Sequence, residues 1–158
     1  MSAVAQMLWH FAKWSEATSL GRVIRNSEYA FPMIEFVHIV GLAIIGGAVL
    51  IVDMRLMGLG LKKTSVAQLA KDAQPYVTGS IIVMLLTGIA LYTSEATKCY
   101  ASAAFWIKMI SLLLAIVFTY TVKRNVAARD HESKLVGVLS LLLWFGVAWG
   151  GRWIGFGG

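Results

Sequence analysis

Two acids and an imidazole mark one long apolar stretch of the sequence. Between Glu35 and Asp53 every residue is apolar or glycine except His38. The stretch is close to the roughly 20 residues that a helix needs to cross a bilayer. On a helix Glu35 and Asp53 share one face, and His38 lies within one turn of it. Ionisable groups inside a membrane span are costly, so these three are candidate functional residues.

The composition indicates a membrane protein. Of 158 residues, 58% are hydrophobic and only 14% are charged, whereas a soluble domain has roughly a quarter charged residues. The mean hydropathy is +0.72. A single cysteine excludes an intramolecular disulfide. The net charge of +6 is explained by basic loops that orient the chain in a bilayer, so no nucleic-acid partner is expected.

The hydrophobic pattern predicts an all-α protein, an integral membrane four-helix bundle with an N-terminal interfacial amphipathic segment. The interfacial segment is predicted at 1–31 and the membrane domain at 32–158. The segment should hold short helices at 3–13 and 18–26. A further short helix is predicted at 65–73, with Pro75 starting the second span. The four spans are predicted at 32–54, 75–93, 103–122 and 135–154.

Smaller features of the sequence also carry expectations. Small residues should permit close helix contacts, and they are Gly41, Gly46, Gly47, and the pair Gly146 and Gly150. Cys99 is expected to be an exposed thiol in a short loop. The charged stretch 123–134 is expected to be a solvated turn, with His131 solvated in it. His10 is expected to be solvated on an interfacial helix, although it could instead reach into the bundle as a ligand.

Basic residues predict the orientation of the chain. They are concentrated after the first and third spans, whereas the loop on the other side holds only Lys98. An excess of basic residues in short loops marks the cytoplasmic side. We therefore expect a multi-pass protein of the bacterial inner membrane with both termini in the periplasm.

Counting spans brings four polar residues to one leaflet. Glu35, His38, Lys108 and Arg152 all fall within one or two turns of the same membrane face. They should turn inward and satisfy one another, because isolated charges in lipid are costly. A polar stripe on the third span supports this, and it consists of Lys108, Ser111, Ala115 and Thr119. The alternative is an aromatic belt in which Lys108 and Arg152 extend toward the headgroups and Glu35 pairs with one of them. That alternative leaves His38 unexplained.

These residue types favour an outer-leaflet pocket for haem b, which would serve electron transfer or porphyrin oxidation. His38 would be the metal ligand, because neutral imidazole binds haem iron well. The other face would be open or closed by Lys108 or His10, and Arg152 would neutralise a propionate. Trp106 and Trp149 would pack against the ring edge. A zinc or copper site is less convincing, since it needs three or four nitrogen or sulfur ligands.

Two other functions stay open. Glu35, His38, Lys108 and Asp53 could form the polar stripe of a transporter for a metal ion or a small anion. The tryptophan-rich rim could instead dock a partner onto a non-catalytic membrane subunit. The sequence leaves open whether the partner is a second copy of the chain, in a homo-oligomer, or a redox protein. Phosphate loops, nucleophile elbows and Cys-x-x-Cys motifs are absent from the sequence, so hydrolase and kinase functions have no support.

Short motifs resemble those of known membrane families. The sequence contains Pro32-Met-Ile-Glu-Phe-Val-His-Ile-Val-Gly41, Asp53-Met-Arg-Leu-Met-Gly58, Phe105-Trp-Ile-Lys-Met109 and Gly151-Arg152. Together they resemble a family of small four-helix bacterial inner-membrane proteins without assigned function. More remotely, His38 and Lys108 resemble residues of the copper-resistance-D-like proteins and of the small membrane protoporphyrinogen IX oxidases. Resemblance to the oxidases implies haem b binding and important roles for His38 and Lys108, although the presence of Glu35 departs from their pattern.

Overall fold

The computed structural model describes residues 3–155, which form helices and their connections without any strand. Two short helices come first, α1 (Ala3–Glu16) and α2 (Ser19–Asn26). The longer helices follow, with a short one between them: α3 (Ala30–Leu56), α4 (Val66–Ser94), α5 (Ala96–Ala101) and α6 (Ala103–Phe118). A π-helical turn (Thr119–Lys123) continues α6 into α7 (Arg124–Ala128), and α8 (Lys134–Ile154) ends the described chain.

Four stretches of the described chain are long and apolar enough to cross a membrane. They are Ala30–Leu56, Val66–Ser94, Ala103–Ala128 and Lys134–Ile154. The all-α fold class is therefore confirmed, and the chain has the form of a multi-pass membrane protein. The division of the chain at residue 31 into an interfacial segment and a membrane domain stays a prediction.

The bundle is built from two helix pairs. α3 packs along α4, α6 packs along α8, and contacts between α3 and α8 join the pairs. An apolar cluster fills the middle, and it consists of Ile45, Val49, Val77, Ile81, Met84, Ala115, Trp144 and Val147. His38 and Asp53 of α3 meet Lys108 and Lys123 in the same order along the chain, so α3 and α6 run in the same direction.

Glycines set how closely α6 and α8 approach, as predicted. A Cβ atom at Gly146 would lie 2.7 Å from Ser111 Oγ, and one at Gly150 would lie 2.9 Å from the Ala104 carbonyl oxygen. Gly41 likewise lies against Met84. The prediction is wrong for Gly46 and Gly47, where nothing lies within 4 Å of an added Cβ. Those two glycines are on the face of α3 that lacks a helix neighbour.

The second span begins earlier than predicted. α4 runs unbroken from Val66, and the Ser65 side chain caps it by accepting a hydrogen bond from Gln68 N at 3.1 Å. Pro75 lies inside this helix, so the predicted break between a short helix and a span is wrong. A proline removes one backbone donor, and membrane helices tolerate this where other groups satisfy the freed carbonyl.

The third span ends later than predicted. The helix passes through the π-helical turn and continues to Ala128, so only residues 129–133 connect it to α8. Part of the stretch expected to be a solvated turn is therefore helical. π-helical turns are rare and are frequently found at functional sites.

The N-terminal helices pack on one end of the bundle. Glu16 Oε1 accepts hydrogen bonds from Thr97 N at 2.9 Å and Thr97 Oγ1 at 2.7 Å. Arg25 donates to the Ser94 carbonyl oxygen. We call this the pocket end, and we call the opposite end, with residues 57–65 and 129–133, the basic end. His10 on α1 is exposed, as expected.

Candidate functional site

A cavity of about 500 Å³ opens at the pocket end between the four long helices and α5. Glu35, His38, Lys108 and Arg152 all line it. The four residues that the sequence assigned to one depth thus share one cavity. Its size falls in the range of about 300–1,000 Å³ that is typical of small-molecule sites.

Hydrogen bonds on both sides hold the His38 ring. Its Nδ1 lies 2.8 Å from Thr87 Oγ1, and that hydroxyl donates its own proton to the Val83 carbonyl oxygen at 2.6 Å. The hydroxyl must therefore accept from His38, which assigns the proton to Nδ1. The lone pair of Nε2 is left to accept from another group. Metal-binding histidines are oriented in the same way by a partner on the other nitrogen.

Lys108 reaches into the bundle and not toward the headgroups. Its Nζ lies 3.3 Å from His38 Nε2, and an ammonium group can only donate. The lysine thus supports the same tautomer of His38. Gly150 makes room for it, because a Cβ at this position would lie 2.9 Å from Lys108 Cβ. The aromatic-belt alternative is therefore wrong for Lys108.

Glu35 and Arg152 occupy the exposed rim of the cavity. Among residues 3–155 Glu35 forms no ion pair. The expectation that Glu35 would satisfy one of the cations is therefore wrong. Glu35 is exposed, so it has no need of a buried partner.

The aromatic wall differs from the one expected. Tyr92 and Phe105 stack with ring centroids 5.6 Å apart, and both line the cavity. Trp106 and Trp149 do not line it, and Trp149 is 52% exposed. The expectation that these tryptophans would pack against a bound ring is wrong, because depth in the membrane does not determine which way a side chain faces around its helix.

Cys99 is a residue of the cavity that was placed wrongly from the sequence. It was expected to be exposed, but only 8% of it is accessible. The short helix α5 turns it toward the cavity, beside Glu95. Burial, and then the negative charge of Glu95, raises the pKa of the Cys99 thiol to about 11. The thiol therefore stays protonated at neutral pH.

Thr87 and Gly88 were not identified from the sequence as neighbours of His38, although their positions along the second span indicate it. Thr87 lies seven residues before the end of α4 and His38 lies eight residues after the start of α3. The two helices run in opposite directions, so both residues lie at the same depth. A Cβ at Gly88 would lie 3.4 Å from His38 Cε1, so Gly88 packs directly against the ring.

A second polar cluster lies at the basic end. Lys123 Nζ is 2.7 Å from Asp53 Oδ1 and 3.4 Å from Ser140 Oγ. Asp53 is fully buried, and 5% of Lys123 is accessible. The expectation that Lys123 would be solvated is wrong, because its helix continues and turns it toward Asp53. The sequence signal for this contact was the polar stripe of the third span. Lys123 follows Thr119 by four residues and therefore lies on the same face of the helix.

Within the described range no group of three His, Cys, Asp or Glu residues could hold a metal ion. His38 is the only one of the three histidines whose side chain lines the cavity, and both His10 and His131 are exposed. The site therefore offers one oriented imidazole, two cations and an apolar wall. Such a set can bind a large ligand through one coordinate bond and charge contacts.

Comparison with known proteins identifies the family of this chain. No curated protein and no solved structure matches the chain, and the comparisons give no support to the remote resemblance to copper-resistance-D-like proteins or to the oxidases. Residues 11–157 match a family of unknown function, DUF6644. Since the match spans nearly the whole chain, the protein belongs to the DUF6644 family.

Proposed function

We propose that this membrane protein binds haem b in the cavity at the pocket end, with His38 as an axial ligand. One observation carries the proposal: the His38 ring is held through Nδ1, and both His38 and Lys108, the partner of its Nε2, line a cavity of about 500 Å³. A neutral imidazole is the usual protein ligand of haem iron.

The residues around the cavity suit such a ligand. Tyr92, Phe105 and Val147 form apolar walls for a macrocycle, and Arg152 on the rim suits a propionate. Lys108 would give up its contact with Nε2 and remain near enough to pair with an anionic group. Bound haem supplies one-electron chemistry, and the walls would shield it from water. Electron transfer would then require a redox partner at the rim.

Transport of an ion is less well supported. The polar groups of the pocket end and of the basic end are separated by the apolar cluster around Ile45, Ala115 and Val147. An ion crossing the bundle would lose its hydration there without compensating ligands. A bare metal ion also needs more ligands than one imidazole. Haem needs only one, and its ring matches the apolar walls.

The test is the visible spectrum of the detergent-purified protein, expressed with haem supplied. We expect a Soret band, with a high-spin form that binds carbon monoxide when reduced. The His38→Ala variant should lose the band, whereas His131→Ala and His10→Ala should keep it as matched controls. A wild-type protein without a Soret band would overturn the proposal. So would a His38→Ala variant that keeps the wild-type spectrum.

We also propose that the protein lies in the bacterial inner membrane with both termini outside, because the basic end holds most of the loop cations. Single cysteines introduced into a Cys99→Ser background test this proposal. A cysteine at Glu28 should react with an impermeant maleimide in intact cells. One at Lys62 should react only after the membrane is broken. The reverse labelling pattern would show that the protein has the opposite orientation in the membrane.

A further inference from the structure

A second cavity, of about 160 Å³, lies at the basic end between α4 and the helix formed by the π-helical turn and α7. Three cations line it, Lys71, Lys123 and Arg124, and none of its lining residues is acidic. The rest of the lining is mainly small and apolar, with Ala67, Ala70, Ala73, Ala127 and Val77 among it. The cavity is thus an apolar slot with a basic rim.

Two of the three cations have no acidic partner among residues 3–155. Lys123 is neutralised by Asp53, but Lys71 and Arg124 are exposed and form no ion pair among residues 3–155. Two carboxylates lie near the rim, but neither forms an ion pair with Lys71 or Arg124. Asp72 accepts a hydrogen bond from Gln68 Nε2 at 2.8 Å, and Asp130 accepts one from Ala67 N at 3.2 Å. Lys71 and Arg124 therefore remain available to an anion at the rim.

We propose that this slot binds an anionic phospholipid, with the headgroup phosphate between Lys71 and Arg124 and an acyl chain along the alanines. The slot lies at the ends of the membrane spans, where lipid headgroups meet the protein. Basic pockets between membrane helices bind anionic headgroups. A soluble anion would use the cations but would gain nothing from the apolar wall. The proposal does not depend on the haem site.

Native mass spectrometry and thermal unfolding of the full-length protein in detergent test it, with phosphatidylglycerol as the probe. The lipid should bind and raise Tm, and phosphatidylcholine should do neither. The double variant Lys71→Gln/Arg124→Gln should lose about 30-fold in lipid affinity, at about 1 kcal/mol per basic residue. The matched control Lys62→Gln/Lys63→Gln alters two exposed loop lysines outside the slot, and it should bind like the wild type.

A second variant separates the lipid from a soluble anion. Ala70→Leu keeps both cations but fills the slot, so it should also weaken binding. Inorganic phosphate stabilising the wild type as well as the lipid does would indicate a soluble-anion site and overturn the proposal. Equal binding of phosphatidylcholine, or unchanged lipid binding by the double variant, would overturn it as well.

Discussion

At one end of α3 His38 faces Lys108, and at the other end Asp53 faces Lys123. His38 and Asp53 are 15 residues apart, and so are the two lysines. Two parallel helices thus carry two polar pairs in the same register, about 22 Å apart at 1.5 Å per residue. One pair borders a cavity of about 500 Å³, whereas the other is buried within the bundle, and only its lysine reaches the smaller cavity at the basic end.

This difference separates the proposed ligand site from a structural contact. The buried Lys123 ammonium is paired with Asp53 and also contacts Ser140. In the proposed haem complex Lys108 would leave Nε2 for the open space of the cavity, and His38 would take the iron as its new partner. Two pairs of similar geometry would then serve the fold at the basic end and a ligand at the pocket end.

The largest effect should come from breaking the ion pair between Asp53 and Lys123. Asp53→Ala leaves Lys123 buried without its counterion, which should cost about 3–5 kcal/mol of the free energy of unfolding. Asp53→Leu combined with Lys123→Met removes both charges and should recover most of that loss. Denaturation in detergent measures this, with Glu35→Ala at the exposed rim as a control of small effect. An Asp53→Ala variant as stable as the wild type would show that the pair contributes nothing.

A smaller effect should follow from loosening the His38 ring. Thr87→Val removes the acceptor of the Nδ1 proton, so we expect haem affinity to fall about 10- to 100-fold, as for other partners of ligating histidines. Thr93→Val is the control, because Thr93 Oγ1 bonds only the Ala90 carbonyl of its own helix. Haem titration of the two variants compares them. Equal affinities would mean that Thr87 does not orient the ring.

The smallest effect concerns the reactivity of Cys99 at the pocket end. Its pKa is raised from 9.0 to about 11, so the reactive thiolate is scarce at pH 8. Maleimide labelling of the folded protein should be slow and should rise about tenfold per pH unit toward pH 11. Unfolding in SDS should make it fast at pH 8. Fast labelling of the folded protein at pH 8 would contradict a buried, protonated thiol.

The same shift has a consequence for stability. A thiol that holds its proton more tightly in the folded state favours folding below pH 9.0, the ordinary value, and this contribution is lost as the pH rises toward about 11. Cys99→Ser should therefore flatten the decline in stability over that window.

The spans and their depths could be predicted from the sequence, but their ends could not. Pro75 and the charges after Lys123 resemble helix boundaries, and in both places the helix continues. At Lys123 the reason is tertiary, because the buried Asp53 carboxylate compensates the charge. Local pattern cannot reveal such a partner.

Depth alone predicted part of the site. Counting from helix ends brought His38, Lys108 and Arg152 to one level, and all three line one cavity. The rotation of each helix about its axis was not available from counting, so Trp106 and Trp149 were assigned to the wrong side. The burial of Cys99 depends on the six-residue helix α5, which is too short to give a periodic signal.

The most direct test of the account replaces the His38 side chain by free imidazole. His38→Gly should lose the Soret band of the haem-loaded protein, and millimolar imidazole should restore it by entering the space that the side chain vacates. Thr87 and the cavity walls would still be present to hold the added ring. A His131→Gly variant should keep its band without imidazole. If His38→Gly retains the wild-type spectrum, or if imidazole does not restore the Soret band, His38 is not the axial ligand of the haem.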